Sequence, residues 1–166
     1  MEMEIERKFR PAALPEKLSA CPSRRMIQGY LCTAPVVRVR REGNARVLTV
    51  KGSGLMIREE HSFPLSEESF LGLLQKCEGQ IIEKTRYYLP VEGYPALTAE
   101  LDVFAGAFAG LVLLEVEFPS EEAARRFTPP SWYGTEVTDN PAYQNASLSR
   151  GILPGELQKN KAETLP

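Results

Sequence analysis

Cysteine, long apolar runs and leader-like segments are scarce in this sequence, and each absence narrows the class of protein. The three cysteines, Cys21, Cys32 and Cys77, are an odd number without metal-ligand spacing. A disulfide scaffold and a zinc site are therefore disfavoured, and a reducing compartment is favoured. No stretch reaches the roughly 18 apolar residues that span a bilayer, and the N-terminal MEMEIERKF lacks the apolar segment of a signal peptide. We expect a cytoplasmic protein without a membrane partner.

An excess of charge of one sign is also lacking. The chain has 20 Lys and Arg residues against 22 Asp and Glu, a net charge of -2. No global field draws it to nucleic acid, so we expect no nucleic-acid partner, and basic residues used for binding must be concentrated locally. The single histidine, His61, leaves a Ser-His-Asp triad with little support.

Short alternating segments separated by turn residues dominate the 166 residues. They predict a mainly β (α+β) fold, a closed eight-stranded antiparallel β-barrel with a few flanking helices. The predicted strands lie near 2–10, 26–33, 36–41, 45–51, 56–64, 80–89, 97–104 and 111–118. One helical turn is expected near 15–20, and capped helices begin at Ser66 and Ser120. We expect one domain over 1–148 and a C-terminal tail over 149–166.

Ionic side chains share one face of nearly every predicted strand. Successive side chains point to opposite faces, so Glu4, Glu6 and Lys8 lie together. The same alternation groups further residues, namely Arg38 with Arg40, Thr49 with Lys51, Arg58 with Glu60, Lys84 with Arg86, Glu100 with Asp102, and Glu115 with Glu117. A solvent-facing side explains any single strand. Because the positions are nearly all ionic and segregate by sign, a charged barrel interior is the alternative we pursue.

Closure of such a barrel would bring its first and last strands together. Glu4, Glu6, Glu115 and Glu117 would then form one patch, which repels itself unless a cation neutralises it. Carboxylate oxygens suit hard ions such as Mg²⁺ or Mn²⁺. Arginine and lysine on the other strands match phosphate oxygens. The pattern therefore predicts a metal patch that faces a phosphate-binding patch.

These motifs resemble those of the CYTH family, also called triphosphate tunnel metalloenzymes. Glu4-Ile-Glu-Arg-Lys8 matches the ExExK motif of that family. Further matches follow in the family's order over 2–148, namely Gln28-Gly-Tyr-Leu31, Arg38-Val-Arg40, Thr49-Val-Lys51, Arg58-Glu-Glu60, Glu83-Lys-Thr-Arg-Tyr87, Glu100-Leu-Asp-Val-Phe104, Gly110–Glu117, Gly134–Thr138 and Tyr143-Gln-Asn145. The fifth strand departs from the family's pattern at Ser62, which replaces an acidic side chain.

The resemblance implies an eight-stranded tunnel that binds triphosphate-containing substrates with Mg²⁺ or Mn²⁺. Carried over by motif, the implied metal ligands are Glu4, Glu6, Glu115 and Glu117, with Glu60 and Asp102 nearby. The implied substrate-binding residues are Lys8, Arg38, Arg40, Lys51, Arg58, Lys84 and Arg86. Tyr30 matches a tyrosine that pairs with the ExExK lysine, here Lys8, and the pair or a second metal would activate or orient water.

Three functions remain as hypotheses at this point. The first is metal-dependent hydrolysis of the terminal phosphate of inorganic triphosphate or a related small molecule. The second is a class IV adenylate cyclase, which would need an adenine pocket, and no segment of the sequence indicates one. The third is a non-catalytic polyphosphate binder, which would not need a dense carboxylate cluster. The number of metals and the oligomeric state, including a homodimer, stay open.

Overall fold

The predicted strands form one antiparallel sheet that closes on itself. The structure is a computed structural model that describes residues 2–155. Its strands are β1 (Glu2–Arg10), β2 (Ser23–Thr33), β3 (Val36–Glu42), β4 (Ala45–Lys51), β5 (Ile57–Pro64), β6 (Glu78–Pro90), β7 (Thr98–Phe104), β8 (Val112–Glu117) and β9 (Thr135–Glu136). The order is β5-β4-β3-β2-β6-β7-β8-β1-β9, and pairing of β5 with β1 closes the barrel. The predicted eight-stranded barrel is confirmed, with β9 as a short addition.

Strand register brings the charged residues of β1 beside those of both its neighbours. Glu4 lies opposite Arg58 of β5, and Lys8 lies opposite Glu115 of β8. Because directly opposed residues of antiparallel strands have side chains on the same face, the ionic faces of these strands join into one surface. Closure of the barrel makes that surface its interior.

Helices and turns connect the strands on the outside of the barrel. α1 (Glu67–Leu74) and α2 (Glu121–Arg126) begin after Ser66 and Ser120, whose side chains accept backbone N–H groups as N-caps. α3 (Asn145–Ser149) follows, and 3₁₀ turns occupy Leu18–Ala20, Gly106–Phe108, Ser131–Tyr133 and Pro141–Tyr143. The two capped helices were predicted, whereas β9 and α3 were not. No helix in the described part of the chain is long and apolar enough to cross a membrane.

Two apolar clusters flank the charged interior. The first lies outside β1, β7 and β8, where Phe9, Leu101 and Val116 pack with Phe127 near α2. The second combines Tyr30, Ile82, Phe104, Phe108, Leu111, Leu113, Val137, Tyr143 and Leu148, and we call it the apolar plug. Ile82, Phe104 and Leu113 share strand parity with the charged residues, so the plug fills one end of the barrel interior. The predicted tail boundary at 149 stays a prediction, although Leu153 still packs on the plug.

Gly54 and Gly29 lie at positions where a Cβ atom would clash with a neighbouring atom. Gly54, in the turn between β4 and β5, has φ +128, and a Cβ there would lie 2.0 Å from the Ile57 carbonyl oxygen. The Lys51-Gly-Ser-Gly segment thus leads from β4 into the turn before the antiparallel strand β5. Gly29 lets α1 and its following residues approach β2, because a Cβ would lie 2.7 Å from Cys77 Sγ.

Candidate active site

A cavity of about 370 Å³ lies within the barrel, and its lining contains charges of both signs. Its acidic residues are Glu4, Glu6, Glu60, Glu100, Glu115 and Glu117, and its basic residues are Lys8, Arg38, Arg40, Lys51, Arg58 and Arg86. Most of the predicted site residues, including Tyr30, are therefore brought together. Lys84 and Asp102 are not among the residues that line this cavity, and their predicted roles in substrate and metal binding stay predictions. They form a buried pair close by.

Glu4, Glu6 and Glu115 form what we call the acidic wall, and protein cations neutralise it. Lys51 Nζ lies 2.6 Å from Glu4 Oε1. Arg58 Nε lies 2.7 Å from Glu4 Oε2, and its Nη2 lies 3.1 Å from Glu6 Oε1. Burial raises the pKa of Glu4, but Lys51 and Arg58 outweigh it and lower that pKa to about 2. Burial and the charge of Glu115 instead raise the pKa of Glu6.

The third member of the acidic wall belongs to a deeper network. Lys8 Nζ lies 2.9 Å from Glu115 Oε1, and Arg86 Nη2 lies 2.7 Å from Glu115 Oε2. Arg86 also donates twice to Asp102, from Nε and Nη2, at 2.7 Å each. Although burial opposes ionisation, Lys8 and Arg86 hold the pKa of Glu115 well below its usual range.

Lys84 and Asp102 anchor this network from behind. The Lys84 Nζ to Asp102 Oδ2 distance is 2.5 Å, and both side chains are 1% exposed. Burial lowers the pKa of Lys84 to about 8 despite the neighbouring Asp102. Asp102 keeps a lowered pKa because Arg86 and Lys84 outweigh its burial. The pair thus holds Arg86 against Glu115.

Arg38 and Arg40 of β3 form what we call the basic wall, and they lack comparable partners. Arg38 is 7% exposed, and its Nη2 lies 3.4 Å from Thr49 Oγ1. Arg40 Nη2 lies 3.4 Å from Glu42 Oε2. The Nε atoms of both arginines are buried without a hydrogen-bond partner among the described residues. Because buried donors are nearly always paired in folded proteins, the basic wall has donor capacity left for a further acceptor in the cavity.

Tyr30 lies in β2 with its side chain 3% exposed, and it contributes to the cavity lining. Gln28 Nε2 donates to its hydroxyl oxygen at 3.1 Å. Burial raises the pKa of Tyr30 above its usual value, although Arg38 and then Lys8 act to lower it. Lys8 itself bonds to Glu115, so in this structure it acts on Tyr30 through its charge rather than through a hydrogen bond.

Three residues of the site were missed by reasoning from the sequence. Glu100, grouped with Asp102 by parity but given no role, forms an ion pair with Arg86. Gln144 and Asn145, at the start of α3, line one side of the cavity, and Gln144 Oε1 accepts from Arg58 Nη1 at 3.5 Å. The Tyr143-Gln-Asn145 motif was a signal for this contact, but nothing local to it revealed the partner.

The donor set fits a hard divalent ion by its chemistry. Five of the six carboxylates expected to ligate metal, namely Glu4, Glu6, Glu60, Glu115 and Glu117, line the cavity, and carboxylate oxygen is the ligand such ions prefer. The raised pKa of Glu6, to which burial and Glu115 contribute, indicates charge repulsion that a cation would relieve. Within residues 2–155, however, no three such groups converge on a metal position, because Lys and Arg hold them apart.

A closed antiparallel barrel whose cavity carries both a carboxylate wall and a guanidinium wall defines a tunnel-type receptor for polyanions. The sequence model of the CYTH domain matches residues 2–128, and the chain belongs to this family. It is similar to an inorganic triphosphatase of Nitrosomonas europaea, 42% identical over 155 residues, which cover 90% of this chain and 98% of the relative. An inorganic triphosphatase of Acetivibrio thermocellus is 41% identical over 115 residues, which cover 68% and 70% of the two chains.

A solved structure gives the same picture of the fold. The crystal structure of an inorganic triphosphatase matches with a TM-score of 0.67 and 37% identity, covering 93% of this chain and 99% of the other. The family match ends at residue 128, whereas Gln144 and Asn145 of the cavity lie beyond it. The resemblance to individual relatives therefore extends over more of the site than the family match does.

Proposed function

We propose that this protein is a metal-dependent phosphohydrolase that releases the terminal phosphate of inorganic triphosphate. The observation that carries the proposal is the pairing of an acidic wall with a basic wall whose buried guanidinium Nε atoms have no partner among residues 2–155. The two relatives at 42% and 41% identity, both named inorganic triphosphatase, support the same reaction and substrate.

Each set of side chains has a separate task. Arg38 and Arg40 bind phosphoryl oxygens, and their planar forks hold the chain in one orientation. Arg86, held by Asp102 and Glu115, presents a fixed positive charge at the same cavity. Lys51 and Arg58 now bond to Glu4, and they become available to phosphate when that carboxylate takes another partner. These cations stabilise the charge that develops on the leaving group.

Glu4, Glu6, Glu115 and Glu117, with Glu60 beside them, are the residues that would hold Mg²⁺ or Mn²⁺. The family is metal-dependent, and such an ion, when bound, neutralises phosphate charge and lowers the pKa of water. Asp102 is a weaker candidate, because its oxygens are already bonded to Lys84 and Arg86 and it is 1% exposed.

The lining of the cavity favours an inorganic chain over a nucleotide. An adenylate cyclase must hold an adenine ring, and base recognition commonly uses an aromatic face. Tyr30 is the one aromatic residue among the lining residues in the described part of the chain, and its ring belongs to the apolar plug. A non-catalytic polyphosphate binder would need the basic wall alone, so the carboxylates argue for turnover.

One assay tests the proposal. Phosphate release is measured from inorganic triphosphate, ATP, thiamine triphosphate and long polyphosphate, each with Mg²⁺, Mn²⁺ or chelator, alongside formation of cyclic AMP. We expect metal-dependent release from inorganic triphosphate and no cyclic AMP. Cyclic AMP formation would support the cyclase, and tight polyphosphate binding without turnover would support the binder. A cytoplasmic location stays a prediction, and sedimentation in the same buffer decides between monomer and homodimer.

A further inference from the structure

Gln28 is a polar side chain buried in the barrel wall without a role in the function proposed above. It lies in the middle of β2 and is 0% exposed. Its Nε2 donates to the Tyr30 hydroxyl oxygen at 3.1 Å, whereas its Oε1 has no partner among residues 2–155. A buried acceptor left unpaired destabilises a fold by about 1–3 kcal/mol. Stability is therefore a poor explanation for an amide at this position.

The hydrogen bond from Gln28 restricts the Tyr30 hydroxyl group. A phenol oxygen carries one proton to donate and can accept further hydrogen bonds. The amide of Gln28 donates to this oxygen, and the guanidinium of Arg38 also lies against it. With donors on the oxygen, the phenolic proton must point in the remaining direction. In the described part of the chain, no acceptor is hydrogen-bonded to that proton.

The remaining direction leads to the cavity. Tyr30 contributes to the cavity lining together with Lys8, Arg38 and Arg58, and the charges of these three side chains act on its hydroxyl group. An anion held by the same cations would bring oxygen atoms within reach of the Tyr30 proton. Burial raises the pKa of Tyr30, so the hydroxyl group keeps its proton at neutral pH and is available as a donor.

We propose that Gln28 is a positioning residue, which donates to the Tyr30 oxygen and thereby aims the Tyr30 hydroxyl proton at a phosphoryl oxygen of the substrate. Gln28 does not line the cavity and acts only through Tyr30. The inference rests on the proposed function, because the group that accepts from Tyr30 is the triphosphate chain.

Two substitutions at Gln28 test the direction of this hydrogen bond. Gln28→Met has a similar size but makes no hydrogen bond, so the hydroxyl group rotates freely. Gln28→Glu places a carboxylate opposite Arg40, its neighbour across β2 and β3, which keeps it ionised. That carboxylate only accepts, so it draws the Tyr30 proton away from the cavity. Gln75→Met and Gln75→Glu make the same changes at an exposed position after α1 and serve as matched controls.

We expect Gln28→Met to lower kcat on inorganic triphosphate by about tenfold, and Gln28→Glu by up to about a hundredfold, which correspond to barrier increases of about 1.4 and 2.7 kcal/mol. For Gln28→Met, KM and the thermal midpoint should change little, whereas Gln28→Glu should also raise KM because its carboxylate engages Arg40. The Gln75 variants should match the wild type. In a Tyr30→Phe background, itself reduced by roughly 10²–10⁴-fold, either Gln28 change should have no further effect on kcat, because the proton that it positions is gone.

Other results would overturn the inference. If the Gln28 and Tyr30 effects on kcat multiply independently, Gln28 does not act through Tyr30. If Gln28→Met does not fold, Gln28→Glu supports the same comparison, and a Gln28→Glu enzyme with wild-type kcat contradicts the proposed direction of donation. An active wild type with unaffected variants refutes this inference alone. A wild type that releases no phosphate from triphosphate refutes the proposed function and this inference with it.

Discussion

The acidic wall and the basic wall face the same cavity but satisfy their charges differently. Glu4, Glu6 and Glu115 each lie within 3.1 Å of a nitrogen atom of a lysine or arginine. Arg38 Nη2 lies 3.4 Å from Thr49 Oγ1 and Arg40 Nη2 lies 3.4 Å from Glu42 Oε2, and the Nε atoms of both are unpaired in the described part of the chain. Within residues 2–155, lysine and arginine therefore neutralise the acidic wall at short distance, whereas the basic wall has one carboxylate partner, Glu42, at 3.4 Å from Arg40.

On the proposed function, this asymmetry would make binding an exchange of partners. A divalent ion held by Glu4 and Glu6 would have to displace Arg58, which bonds to both carboxylates. The displaced guanidinium then needs an anion, and a phosphate chain provides one. Metal and substrate should therefore strengthen each other's binding, because each accepts the partner that the other releases. The basic wall needs no such exchange and is ready for phosphate from the start.

The largest effect is expected where a carboxylate is most deeply paired. Asp102→Asn removes the charge that neutralises Lys84 and Arg86, so two buried cations lose their main partner. We expect the free energy of unfolding to fall by about 3–5 kcal/mol, the usual consequence of breaking a buried ion pair. Urea denaturation measures this free energy, and Asp139→Asn, the same change at an exposed position, is the control. A stability loss no larger than that of the control would show that the pair is not structural.

At the acidic wall we expect substitution of Glu6 to reduce catalysis rather than stability, and the effect should be smaller than that of Asp102→Asn. Glu6→Gln keeps the shape of the side chain but removes a metal-binding charge, so metal-dependent turnover should fall by on the order of 10²–10³-fold. Because the folded-state pKa of Glu6 is raised, its ionised form is disfavoured by folding, and the neutral variant should be at least as stable as the wild type. Kinetics with and without metal measure the loss of turnover, and thermal denaturation measures the stability of the variant.

The control for Glu6→Gln is Glu59→Gln, which makes the same change at an exposed position of β5. Its turnover and metal dependence should match the wild type. If Glu6→Gln retains full metal-dependent activity, the assignment of metal to the acidic wall is wrong.

At the basic wall we expect weaker substrate binding with little change in stability. Arg40→Ala removes a guanidinium that has one distant carboxylate partner, so stability should change little. Substrate binding should weaken by about 1.5–3 kcal/mol for a lost charge-assisted contact. Arg40→Lys should rescue it only in part, because the planar fork is lost. Saturation curves of the two variants measure this, and Arg25→Ala, an exposed arginine, is the control. Unchanged curves for Arg40→Ala would remove the basic wall from the substrate site.

The smallest effect is expected outside the cavity. Arg7 pairs with Glu136 at 2.6 Å, where the glutamate side chain is 40% exposed. Hydrogen bonds from Arg7, and then from Thr138, keep the pKa of Glu136 below its usual value. The pair therefore stabilises the fold above the unfolded-state pKa of Glu136, and the contribution is lost as pH falls through the lower folded-state pKa.

Glu136→Gln should accordingly lower the thermal midpoint slightly at neutral pH and not at all in strong acid. The difference should shrink at high salt, because exposed pairs are screened. A midpoint difference that persists unchanged at low pH would contradict the sign of this pKa shift.

The barrel and the inner position of most charged residues could be predicted from alternation alone. Side chains such as Glu4, Glu6 and Lys8 recur with a period of two, and a closed sheet offers one interior to all strands. The apolar plug could not be predicted in this way. Ile82, Phe104 and Leu113 have the parity of the charged residues, and only the C-terminal turn that delivers Tyr143 and Leu148 explains why that end of the interior is apolar.

The period, the charge signs and the residue types of the barrel interior follow from the amino-acid sequence, because they are local properties of each strand. The helix N-caps at Ser66 and Ser120 also follow from the sequence. The pairing of these side chains is visible only in the three-dimensional structure. There Lys8 bonds to Glu115, Lys84 bonds to Asp102, and Arg58 donates to Gln144. Pairing depends on distances across a closed barrel between residues far apart in sequence, and no local pattern contains those distances.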